Sequence, residues 1–132
     1  MRSLKTLGRF VIAGACIFAI VGLSGENAKA RPQYAKAMTK AYPDLAKKHG
    51  GDTGKLSCTV CHPKSAVKEK KKARNNYGVA FGKGLAKKNE KDADKLKEAL
   101  TKAEKGKSAT EGKTFGDLIK AGDLPGEDKK AN

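Results

Sequence analysis

Five consecutive residues, Cys58-Thr59-Val60-Cys61-His62, combine two thiols and an imidazole at a spacing that occurs nowhere else in the chain. Two thiols separated by two residues can add across the two vinyl groups of haem, and an adjacent imidazole then lies beneath the iron. This is the C-x-x-C-H pattern of covalent haem attachment. Cys58 and Cys61 are therefore the expected thioether residues, and His62 the expected proximal ligand of one haem c iron. A Cys-x-x-Cys pair also serves as a zinc half-site, a thioredoxin-like redox pair or a short-loop disulfide. A zinc site needs a second ligand pair, yet His49 is the only other His and no Cys follows Cys61. A thioredoxin-like pair needs strands around it, and strand-like runs are almost absent.

Such a motif has to be delivered to the right compartment. Residues 1–30 read as a secretory signal peptide: Arg2, Lys5 and Arg9 form a basic start, Phe10 to Val21 an apolar run, and Ala28-Lys29-Ala30 a small-x-small cleavage site. The apolar run is short of the roughly 20 residues of a comfortable membrane span, so cleavage near Ala30 is expected over retention as an anchor. Cys16 leaves with this segment. In bacteria haem is attached outside the cytoplasmic membrane, so signal and motif support each other, and a periplasmic or otherwise exported protein is expected.

The remaining chain carries 25 basic and 13 acidic residues, contains no Trp and is poor in aromatics. That composition fits one small domain, residues 31–126, without the apolar mass for a self-sufficient core. A covalently held haem would supply an apolar plate for short helices, and haem-free protein is expected to fold poorly. Residues 127–132 read as a disordered tail.

The positioning elements follow from periodicity. Tyr34, Met38, Tyr42 and Leu45 recur every three or four residues, with Pro32 suited to a helix start. Pro43 either kinks that helix or begins a second one ending at His49, before Gly50 and Gly51. The following loop to Ser57 reads as coil. Ala73, Tyr77, Phe81 and Leu85 make a stripe on a predicted helix over 65–89, whose Gly78 and Gly82 share a face that a haem edge or an ordinary helix contact would occupy. Asp92 caps a predicted helix to Glu104 with Leu96, Leu100 and Ala103 on one side. Thr114 and Asp117 match a capping box that opens a short helix to Ala121.

The motif among short helices after a signal peptide resembles small monohaem cytochromes c. More specifically, Cys58 to Pro63 followed by Lys71-Lys-Ala-Arg-Asn-Asn-Tyr-Gly-Val-Ala-Phe-Gly82 resembles cytochrome c-like proteins of planctomycete-type bacteria. The resemblance implies an all-α bundle packed around one covalent haem and working in electron transfer. It also implies relatives that bind diatomic gases such as NO or CO.

One departure stands out. Cytochromes c commonly take a Met as sixth iron ligand from downstream of the motif, but no Met, His or Cys follows His62. The candidates are His49, beside a Gly-Gly loop, and Met38, whose place on a helix stripe also suits the core. An open position, water or a weak Lys or Tyr ligand are the alternatives. A closed position makes an electron carrier, an open one a gas binder. An enzyme is not expected, since only His49 offers a distal acid–base group. Lys64, Lys68, Lys70, Lys71, Lys72 and Arg74 form either a solvated face or a basic ring that steers an acidic redox partner. Nucleic acid is not an expected partner, because no aromatics interleave these lysines. Contact with an anionic membrane surface is a lesser alternative, and a homo- or heterodimer stays open.

Overall fold

The computed structural model describes residues 31–64 and 73–131. The expected signal peptide lies outside the described residues, as do Lys68, Lys70, Lys71 and Lys72. Among the described residues the fold is helical. Five α-helices and two 3-10 turns carry the chain, there is no β-strand, and the lone antiparallel bridge joins Lys107 to Thr114. The all-α expectation holds at that level.

Helix α1 runs Pro32–Ala41, with Pro at its start, where a missing N–H costs nothing. It ends at Tyr42, whose φ of −127° and ψ of 68° leave the helical region as required before a proline. Pro43 then opens a second helix rather than kinking the first: α2 is Pro43–His49, buries Leu45 and Ala46, and places Lys47, Lys48 and His49 at its negative end. Helix α3 is Asn76–Gly84, shorter at both ends than the predicted helix. At its start the Asn75 side chain accepts the Gly78 N–H at 2.8 Å, and residues 73–75 are extended because their backbone groups are used elsewhere.

Helix α4, Ala93–Glu104, is the hub on which α1, α3 and α5 pack. Its buried face is Leu96, Ala99, Leu100 and Ala103. Asp92 caps it through the N–H groups of Asp94 and Lys95. Helix α5, Phe115–Lys120, opens on the expected capping box, with both reciprocal bonds of Thr114 and Asp117 present. The core is closed by two edge-on aromatic pairs, Tyr34 on Phe81 and Tyr77 on Phe115, with centroids 5.4 and 5.3 Å apart. Met38 belongs to this core. No helix among the described residues is long and apolar enough to cross a membrane.

Three capping carboxylates set the acid limit of the fold. The Lys95 N–H holds Asp92 below its ordinary carboxylate range, the Thr114 N–H does the same for Asp117, and the Asp92 N–H for Glu90. A depressed folded-state pKa contributes stability that is present above the unfolded value and lost as pH falls through the folded one. Acid unfolding is therefore expected to shift to higher pH in Asp117→Ala, as followed by far-UV circular dichroism. Leu100→Ala should lower stability by about 2–5 kcal/mol at neutral pH in urea denaturation. A neutral outcome would mean that α4 is not the hub.

Candidate haem-attachment site

Cys58, Thr59 and Val60 form a single 3-10 turn. The Ser57 hydroxyl caps it by accepting the Thr59 N–H at 3.3 Å. The Cys61 and His62 N–H groups both donate to the Cys58 carbonyl, at 3.2 and 2.9 Å. The motif is thus one compact coil, with Val60 turned into the core and Cys58, Cys61 and His62 half-buried.

Three separate elements hold this coil. At its entrance the Leu56 N–H donates to the Thr39 hydroxyl on α1 at 3.0 Å. At its centre stands Asn75, fully buried, whose amide donates to the Val60 carbonyl at 3.0 Å and whose backbone N–H donates to the Cys61 carbonyl at 3.0 Å. Gly78 completes this grip, because a Cβ there would overlap the Cys61 carbonyl oxygen. What approaches the Gly78 face is thus the motif's own backbone.

The third clamp is the carboxy-terminal segment. Pro125 is fully buried, the Glu127 N–H donates to the Asn76 side chain at 3.0 Å, and Asp128 accepts the Lys64 N–H at 2.6 Å. The Ala131 N–H donates to the Arg74 carbonyl at 2.8 Å. Residues 125–131 therefore strap both Lys64 and Arg74, on either side of residues 65–72.

His62 has a defined orientation. Its Nδ1 lies 2.6 Å from the buried Ala73 carbonyl, which can only accept, so Nδ1 carries a proton, and in the neutral ring Nε2 keeps the lone pair. A metal-binding imidazole usually has this arrangement, with its second nitrogen donating to a carbonyl. Cys61 points its sulfur at Met38, 3.9 Å from the thioether. Burial pushes its thiol up to about 12, against the lowering effect of Arg74. The two cysteines are not joined by a disulfide.

The structure brings Cys58, Cys61, His62 and Met38 together and leaves His49 elsewhere. His49 is exposed, its Nε2 donating to the Gly122 carbonyl at 2.9 Å, while neighbouring Lys48 pairs with Asp123 at 3.2 Å. To reach an iron, that nitrogen would first have to leave Gly122. Among the described residues no three His, Cys, Asp or Glu side chains converge as a metal-binding group. The zinc alternative thus finds no ligand set there. Attachment through two thioethers and one axial nitrogen requires no such convergence.

The buried Tyr77 hydroxyl faces the Tyr42 hydroxyl beside the motif, while the buried Tyr34 hydroxyl, on α1, has no hydrogen-bond partner among the described residues. Burial raises the Tyr77 phenol far above its ordinary range. Tyr42, half-buried beside it, donates to Glu104 at 2.8 Å. The two thiols on one coil and the oriented His62 ring fit a covalently held haem. Asn75 is the functional residue that periodicity missed. Its one sequence cue is an Asn directly before the apolar stripe of α3, a capping position. No family model, curated protein or solved structure matches this chain.

Asn75→Ala removes the α3 cap and leaves the buried Val60 carbonyl unpaired, which should destabilise the protein by about 2–4 kcal/mol. Gly78→Ala must push the Cys61 backbone away and should be at least as disruptive. Thermal unfolding of both variants beside Thr101→Ala, an exposed control on α4, checks the assignment. Equal melting temperatures would show that Asn75 does not hold the motif.

Proposed function

We propose that this protein is an exported c-type haem protein that transfers electrons through one haem, attached by Cys58 and Cys61 and ligated by His62. The observation that carries the reading is the His62 ring, with Nδ1 committed to Ala73 and Nε2 available, on the same coil as both thiols. Bound haem supplies a one-electron iron couple. The chain's own residues do the rest. Cys58 and Cys61 would hold one edge of the group, Ala73 orients His62, and Val60, Met38 and Tyr77 shield the motif from water. Because Cys58, Cys61 and His62 are only half-buried, a group they held would be open to approach by a redox partner.

The surface supports that use. Lys64 and Arg74 are exposed on either side of the motif, and the chain's basic excess favours an acidic redox protein as partner, through steering that salt screens. The lysines at 68 and 70–72 extend the same run in sequence. The signal-like segment over 1–30 fits a periplasmic or otherwise exported location, where this attachment chemistry takes place.

A second reading, binding of NO or CO, is favoured by one observation: the His49 nitrogen is engaged at Gly122 and away from the motif. If it stays there, Met38 is the candidate nearest the motif, and without a strong ligand the sixth position is open to a small gas.

Attachment is tested by the pyridine haemochrome spectrum of the purified protein. The wild type should give a c-type spectrum, and Cys58→Ser with Cys61→Ser should abolish covalent haem. Normal covalent haem in that double variant would overturn the reading.

The sixth position is tested by CO. If His49 closes it, ferrous wild type is low-spin and reacts with CO slowly, since local opening must come first, and His49→Ala reacts fast with a shifted potential. Rapid CO binding by wild type, with a His49→Ala spectrum identical to it, would make gas binding the leading function.

A further inference from the structure

A cavity of about 270 Å³ opens beside the far end of α3, and its lining gathers Arg31, Arg74, Lys87 and Lys88 around Gly82 and Leu85. Among the described residues no acidic side chain lines it. Glu90 pairs with the Lys87 ammonium at 3.9 Å, and its Oε1 also accepts the N–H groups of Lys91 and Asp92. Among the described residues no acid pairs with Arg31, Arg74 or Lys88. Arg31, Arg74 and Lys88, brought together with no acidic partner among the described residues, repel one another unless an anion joins them.

Two of the four are held in place. A Cβ at Gly82 would overlap the Arg74 guanidinium, so this glycine makes the niche in which that group lies. The Arg31 guanidinium sits 5.7 Å from the Tyr34 ring centroid, within cation–π range. A solvated lysine face would need neither device. Two positioned guanidinium forks are the recognised means of gripping a planar or tetrahedral oxyanion.

We propose that Arg31, Arg74, Lys87 and Lys88 form an oxyanion-binding pocket that takes carboxylate or phosphate groups. Two sources carry that chemistry. One is a free dianion such as inorganic phosphate. The other, which rests on the haem reading, is the pair of propionates on the haem edge opposite the thioethers. The placement suits it: Gly78, under Cys61, and Gly82, under Arg74, are one turn apart on α3, about 6 Å along its axis. Arg74 also acts electrostatically on the Cys61 thiol, so the pocket and the motif are neighbours.

The test uses the full-length protein as purified. Calorimetric titration with inorganic phosphate, at an ionic strength held constant with chloride, compares wild type with Arg74→Gln and Gly82→Ala. Lys87→Gln with Lys88→Gln, both exposed, serves if either of those variants fails to fold. Saturable binding that weakens about tenfold or more in the variants identifies a free oxyanion. Absent phosphate binding, together with haem propionate NMR resonances that shift in the variants at unchanged haem content and melting temperature, identifies the propionates. Phosphate binding that the variants leave intact overturns the pocket. So does the absence of binding together with unmoved propionate resonances. A protein lacking c-type haem removes the second source and the haem reading, while the phosphate titration still decides whether the pocket exists.

Discussion

The structure depends on the commitment of two residues, Ala73 and Asn75, to the turn that precedes them in sequence. The Ala73 carbonyl takes the His62 ring proton, the Asn75 N–H takes the Cys61 carbonyl, and the Asn75 amide takes the Val60 carbonyl. Because those groups are spent on the motif, α3 cannot extend backward through them, and its first turn is capped by the same Asn75 side chain. Helix start and motif geometry are therefore one constraint. Anything that moves α3 on α4 moves the turn, because α3 carries both Gly78 beneath Cys61 and Tyr77 in the core.

This arrangement explains how a chain with few aromatics keeps a half-exposed site in order. The core is thin, yet its largest members are shared: Tyr77 packs on Phe115 of α5, and Phe81 packs on Tyr34 of α1. Helix α3 thus reaches two helices through aromatics and α4 through Gly84, which lies against Ala99. Hydrogen bonds take over where apolar area is lacking. Most of those around the motif join residues far apart in sequence, such as Leu56 with Thr39, Lys64 with Asp128 and Glu127 with Asn76.

The same distinction separates what was legible in the sequence from what was not. Local signals read through directly. Pro43 as a helix start, Asp92 as a cap, the Thr114–Asp117 box and the stripes of α1 and α4 all involve neighbours within one turn. The five-residue motif was legible for the same reason. Asn75's grip on Val60 and the docking of residues 125–131 were not, since neither follows a period and each joins segments that are not neighbours within one helical turn. A tail rich in Gly, Lys and Asp has the composition of a frayed end, and its hydrogen bonds with Lys64, Asn76 and Arg74 leave no mark on that composition. The predicted helix over 65–89 overshot for a related reason: a stripe of apolar residues continues through Ala73 and Leu85, but backbone groups already engaged elsewhere end the helix first.

The strap over residues 125–131 also imposes a chronology. A polypeptide emerges amino end first, so Cys58 to His62 are exposed well before α4, α5 and the strap exist to close upon them. During that interval the two thiols belong to an open peptide and ionise as ordinary cysteines do, and the thiolate is the reactive form. Once the strap docks and Cys61 settles against Met38, its sulfur is held as the neutral thiol. Chemistry at this sulfur therefore has a window that opens as the chain emerges and shuts with folding, and the order of elements along the chain sets its length.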